Sequence, residues 1–188
     1  MTESTLFTGA FVLYVLSLLV FFAGLFARRE KWAKLAYALA LAGFVVHTAA
    51  LVVRTVAAGH APVTGMYESV SFLSWAVALA LLVFGRPSRG HRLAPYLMLI
   101  VVGLVAVASS PICPKEVEPL VPALQSYWLW LHVSVTLIGE AFFAVAFVAS
   151  LLYLAAKTPD RKDRLDAWPT GPWPWASRCS RWAGSSSA

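Results

Sequence analysis

Five runs of this sequence contain almost nothing that water would hold: Leu6 to Ala27, Leu35 to Ala57, Val70 to Gly85, Leu93 to Ser109 and Tyr127 to Ala156. At about 1.5 Å of rise per residue, a helix of about 20 residues crosses roughly 30 Å of hydrocarbon. Inside that layer the backbone has no water to bond, so each run is predicted to close its own hydrogen bonds as a helix. The third run is short and is expected to begin within the YESVSF stretch. The fifth is long, so it is expected to tilt or to stand above the bilayer. The first run lacks a basic leader and a small-residue cleavage site and reads as a retained helix. The fold class is therefore all-α: a polytopic membrane protein with a five-helix bundle over residues 1–157 and a Pro/Trp-rich tail over 158–188. With 60% hydrophobic and 13% charged residues, the chain has too little charge to coat a soluble domain of its size.

The few charges are informative because they are clustered. Arg28, Arg29, Lys31 and Lys34 follow the first run; Arg86, Arg89 and Arg92 follow the third; Lys157, Arg161, Lys162 and Arg164 follow the fifth. Basic clusters in alternate loops orient a membrane protein with those loops in the cytoplasm, which places the amino terminus outside a cell (inner) membrane. The net charge of +6 is thus an orientation signal facing membrane lipid, and no basic face for nucleic acid is expected. The segment GHAPVTGMYES and the loop CPKEVEPLVPALQSYW then share the outer side with the start of the fifth run.

Several groups in or near the apolar runs could carry chemistry. His47 lies mid-run and Arg54 follows seven residues later, near the same face. Ionisable groups at that depth invite a functional reading. The plainer one is a neutral histidine bonded to a neighbouring helix, with Arg54 snorkelling outward. In YWLWLHVSVTLIGE, Trp128 and His132 are one turn apart, and Thr136 and Glu140 continue the stripe about 6 and 12 Å deeper. Two readings stand here: an interfacial aromatic belt with an incidental histidine, or an axial imidazole for a flat apolar cofactor walled by Trp128 and Trp130. Glu140 could pair across helices or carry a proton. Glu68 complements a helix dipole, with Ser69 or Ser71 available as a cap. Gly59, Pro62 and Gly65 shape a turn before it. His60 sits in that turn, and Cys113 and Cys179 are too few for a disulfide framework or a zinc site. No phosphate-cradling glycine loop or serine–histidine–carboxylate order is present.

Two stretches, in this order, resemble one family. HTAALVVRTVAAGHAPVTGMYESVSFLSW is similar to its second-to-third helix junction, and LQSYWLWLHVSVTLIGEAFFAVAFVASLLYL to the helix that opens with a tryptophan and a histidine–valine pair. The family is the haem-handling cytochrome c assembly proteins of the CcsA/ResC type, and the resemblance covers about residues 35 to 157. It implies carriage of haem b across the membrane and its presentation to apocytochrome c, together with a ResB-like membrane protein, as a component of a haem–cytochrome c synthase complex. By the resemblance His132 is an axial ligand of the haem iron beside Trp128 and Trp130, while Pro62, Tyr67 and Glu68 form an outer rim. His47 matches no ligand of the family.

The chain departs from the pattern after residue 157. The tryptophan-rich signature WGxxWxWDxxE and the later histidines are absent, and AWPTGPWPWASRCSRWAGSSSA stands instead. A reading-frame slip near Asp166 or Ala167 accounts for that tail, because the codons permit a family-like LAYRAVAVGFPLL two bases on; a disordered cytoplasmic tail is the alternative. Two other functional classes remain: an ion-coupled permease using His47, Arg54 and Glu140, or an inert scaffolding fragment.

Overall fold

In a computed structural model of the chain, residues 3–27, 30–58, 65–85, 93–111, 113 and 127–155 are described. His60, Pro62 and the Pro/Trp-rich tail lie outside them. Every regular element among the described residues is a helix: α1 Glu3–Ala27, α2 Glu30–Ala58, α3 Met66–Phe84, α4 Ala94–Ser109 and α5 Tyr127–Leu154. The predicted all-α membrane class is observed. Four of the five helices, α1, α2, α3 and α5, are long and apolar enough to cross a membrane, and α4, with 16 residues, is shorter.

The third helix starts four residues before Val70, and its first turn explains why. Gly65 takes an extended conformation (φ −104°, ψ 163°), Ser69 N–H donates to the Gly65 carbonyl at 2.9 Å, and Glu68 Oε2 accepts from the Gly65 N–H at 3.2 Å. A polar opening turn therefore completes a helix that the apolar pattern alone leaves short. At α4, Pro95 falls in the first turn, where its missing N–H removes no helical bond.

Residues 1–148 form one compact unit and residues 149–188 a second. In the first, α1 and α2 run antiparallel, and Gly43 permits a close approach: a Cβ there would lie 2.9 Å from the Tyr14 ring. Small residues at such crossings let helix backbones approach closely in lipid, where packing supplies most of the attraction. Ser17 Oγ donates to the Ala36 carbonyl at 2.8 Å across the same seam. Helix α3 is tied to α2 by Tyr37 Oη donating to the Leu82 carbonyl at 2.6 Å, and by Trp75 Nε1 donating to Thr48 Oγ1 at 2.9 Å with its ring stacked on Phe44. The core is built on Tyr14, Val77, Leu81, Leu97, Met98, Val101 and Val105, so the short α4 is buried along much of its length. The second unit contributes the end of α5, where the Ala155 N–H donates to the Leu151 carbonyl at 3.0 Å.

Candidate functional site

The polar groups of the first unit fall into two sets with opposite environments. The first is a junction at the amino-terminal end of α1, where α2 ends and α3 begins. Arg54 Nη1 donates to both carboxylate oxygens of Glu3, at 3.0 and 3.2 Å, and Arg54 Nε donates to Glu68 Oε1 at 3.0 Å. The guanidinium carbon stands 4.6 Å from the centre of the Tyr67 ring, and Tyr67 Oη donates to Glu3 Oε1 at 3.3 Å. Arg54, Tyr67 and Glu68 are all buried. The snorkelling expected of Arg54 is therefore replaced by an internal clamp. The reason is local: two carboxylates supply the stabilisation that water would, so the guanidinium gains nothing by reaching outward. Tyr67 and Glu68, expected at an outer rim, face inward into this clamp.

Two turns earlier on α2, His47 is fully buried. Tyr14 Oη lies 3.4 Å from its Nδ1 and Ser71 Oγ 3.1 Å from its Nε2. A neutral imidazole has one donor and one acceptor nitrogen, and hydroxyls serve either role, so both ring nitrogens are satisfied. Phe7 packs against both the His47 and Tyr67 rings, each at 5.5 Å between centroids, and joins the two polar levels. The plainer reading of His47, a neutral histidine bonded to other helices, matches this geometry. Ser71, expected as a possible cap, spends its hydroxyl on His47.

The second set lies along α5 and is turned outward. Ala141, Val145 and Val148 are the buried residues among the described side chains of this helix, and Phe142 meets Phe84 of α3 edge-on at 5.9 Å. Helical periodicity puts the opposite face on Trp128, His132, Thr136, Gly139, Glu140, Phe143 and Phe147. His132, Thr136 and Glu140 are exposed, as are Trp128 at 76% and Phe143 at 71%. No described residue hydrogen-bonds the His132 imidazole; Thr136 Oγ1 donates instead to the His132 backbone carbonyl at 2.8 Å.

The structure thus brings Trp128 and His132 onto one exposed face and separates them from Trp130. At about 100° per residue, Trp130 stands about 160° round the helix from His132. Its Nε1 is buried with no hydrogen-bond partner among the described residues. Of the two tryptophans, Trp128 shares the face of His132 and Trp130 does not. Nor do His47, Arg54 and Glu140 converge, since the first two are locked into the helix junction and Glu140 is exposed on α5. Sequence reasoning missed Glu3 and Tyr14, and gave Ser71 only a capping role in place of its bond to His47. Each is ordinary in its local context and gains a role only through a partner on another helix.

An exposed imidazole with an exposed indole one turn away, flanked by the exposed Leu131 and Val135, offers a nitrogen donor on a flat apolar surface. Among the described residues no three histidine, cysteine or carboxylate side chains gather as a metal cluster. An exposed imidazole beside an apolar surface is a residue set that fits a porphyrin, whose iron takes an imidazole nitrogen.

Comparison with known proteins agrees in class. The family described as Cytochrome C assembly protein matches residues 63–185, well over half of the chain. The chain is 37% identical over 162 residues to the cytochrome c biogenesis protein CcsA of Parasynechococcus marenigrum (strain WH8102), an alignment covering 84% of this chain and 51% of the relative. It is 39% identical over 129 residues to the CcsA of Prochlorococcus marinus (strain MIT 9303), covering 68% and 39%. It is 40% identical over 108 residues to protein NrfI of Wolinella succinogenes, covering 57% and 12%. The fold is a multi-pass membrane bundle, and the chain belongs to the cytochrome c assembly protein family. It spans about half the length, or less, of the relatives it matches.

Proposed function

We propose that this chain handles haem during cytochrome c maturation, holding haem b at the outer face of the cell membrane for transfer to apocytochrome c. The observation that carries the proposal is the exposed His132 one turn from the exposed Trp128, on a helix within the span matched by the family. In this reading haem is cargo. His132 supplies an axial nitrogen to its iron, Trp128 packs against the ring, and Leu131 and Val135 keep that edge apolar. Iron bound to one protein imidazole remains open to a second ligand from elsewhere, so the site suits transfer better than storage. Trp130 acts behind the site rather than as a wall. The clamp of Arg54, Glu3 and Glu68 holds the helix junction and carries no haem.

The orientation read from the basic loops, with the amino terminus outside, puts His132 at the outer interface. A ResB-like membrane protein and apocytochrome c are the proposed partners in a synthase complex, and covalent attachment belongs to that complex. The test is a visible spectrum of detergent-purified protein, with and without the ResB-like partner. Wild type is expected to show a Soret band that His132→Ala removes. A band of equal strength in the variant, or no band in any wild-type sample, overturns the proposal.

A further inference from the structure

One end of α2 joins a group of basic residues to an apolar face. Arg54 of α2 meets Glu3 and Glu68, at the starts of α1 and α3. Tyr37, near the start of α2, meets the Leu82 carbonyl near the end of α3. The start of α2 therefore lies at the end of the helices away from the clamp. In sequence, only Arg28 and Arg29 separate α1 from α2, and Glu30, Lys31 and Lys34 follow, so four basic residues stand there against one acidic. Lys31 and Lys34 are exposed. Trp32 stands between them in sequence, 39% exposed, and the base of its side chain rests on α1, where a Cβ on Gly24 would lie 3.0 Å from the Trp32 Cβ. At about 100° per residue, Lys31, Lys34, Leu35, Ala38, Ala42 and Val45 share one face of α2, opposite the buried Ala36 and Ala40. All six are exposed. That face carries two ammonium groups at the start of a helix long and apolar enough to span a membrane, and an apolar strip runs from them along it.

We propose that this face is the seat of an anionic phospholipid. Lys31 and Lys34 take the headgroup phosphate, Trp32 packs beside it in the headgroup layer, and an acyl chain follows Leu35, Ala38, Ala42 and Val45. Charge chooses the headgroup, because each lysine or arginine beside a membrane surface favours an anionic one. Lysine stems lie along apolar surface while their ammonium ends reach the phosphates, and tryptophan is at home at that level. The apolar strip chooses lipid over other anions. An acidic protein or a free phosphate meets the ammonium groups and leaves Leu35 to Val45 uncovered, whereas a phospholipid covers both parts at once. The small side chains of Ala38 and Ala42 leave a shallow channel flanked by Leu35 and Val45, the width of a chain rather than of a helix partner's bulky side chains. The inference rests on α2 alone and not on His132 as a haem ligand.

The test uses the detergent-purified 188-residue chain and phosphatidylglycerol carrying a nitroxide high on one acyl chain, which quenches a tryptophan it touches. Titration is expected to give a saturable component of quenching that is missing in Trp32→Phe. Phosphatidylcholine with the same label, whose headgroup has no net charge, is expected to give no saturable component. Lys31→Gln and Lys34→Gln are each expected to raise the half-saturating lipid fraction about fivefold, the effect of one basic residue at a membrane surface. Lys31→Arg, which keeps the charge, is expected to bind as wild type does. Glycerol phosphate, a charged headgroup without tails, is expected not to compete; displacement by it would mark a free-anion site and overturn the proposal. Equal saturation by the two lipids, a saturable component that persists in Trp32→Phe, or indifference to both Lys→Gln variants also overturns it. The substituted residues are exposed, and a single monodisperse elution peak establishes that each variant folds. His132→Ala is expected to bind the labelled lipid unchanged, so failure of the haem proposal and failure of this one are distinguishable.

Discussion

The helix junction of α1, α2 and α3 and the outward face of α5 use the same residue types and do opposite things with them. Each carries a histidine and a carboxyl group within an apolar helix bundle. At the junction, Arg54 meets two carboxylates and His47 meets two hydroxyls, so every strong donor and acceptor has a partner inside the unit. On α5, His132 and Glu140 are exposed. In lipid a polar group that is satisfied internally holds helices together, whereas one that is exposed requires something from outside. The depth of a histidine in a membrane protein is thus a poor guide to its role; its partners decide.

Substitutions can break this contrast. The largest effect is expected at Arg54, where Arg54→Leu leaves Glu68 and Glu3 without their cation. Breaking a buried pair from one side costs about 3–5 kcal/mol, so the variant is expected to lose most of its yield and thermal stability in detergent. Arg54→Leu combined with Glu68→Leu is expected to recover part of that loss, since it removes one of the two carboxylates that had lost this cation. A single variant as stable as wild type would show that the clamp holds nothing. Gly43→Leu comes next. Its side chain would run into the Tyr14 ring, and forcing bulk into a close-packed seam costs about 1–3 kcal/mol, measurable as a lower melting temperature. His47→Ala is expected to cost about 2 kcal/mol by stranding the Tyr14 and Ser71 hydroxyls, with His47→Gln milder. The smallest effect is expected at Trp130. Trp130→Phe removes a buried donor that has no partner, so its stability should stay within about 1 kcal/mol of wild type, or rise. A large loss there would mean that Trp130 has an interaction beyond the described residues.

Much of the fold was legible because the bilayer sets the length of the pattern. Four of the apolar runs end within one residue of where their helices end, at Ala27, Ala58, Phe84 and Ser109, and the fifth within two, at Leu154. The start of α3 was less sharp: the apolar run opens at Val70 and the helix was expected to begin within YESVSF, whereas the bond between Glu68 and Gly65 goes with a start at Met66. The face shared by Trp128 and His132 follows from four-residue spacing, which any helix respects. The opposite placement of Trp130 follows from the same rule, but the aromatic cluster YWLW reads first as a belt and hides it. The clamp was out of reach: Glu3 and Arg54 are 51 residues apart, and nothing local marks Glu3 as a partner. Long-range pairing is a property of helix packing, which no single run of sequence displays.

The central claim is that the inner histidine is structural and the outer one functional. The Soret absorbance per mole of purified protein, compared among wild type, His47→Gln and His132→Ala, tests it directly. The account predicts a band that survives His47→Gln and disappears in His132→Ala, with both variants eluting as folded protein. A band lost with His47→Gln and kept in His132→Ala would contradict it.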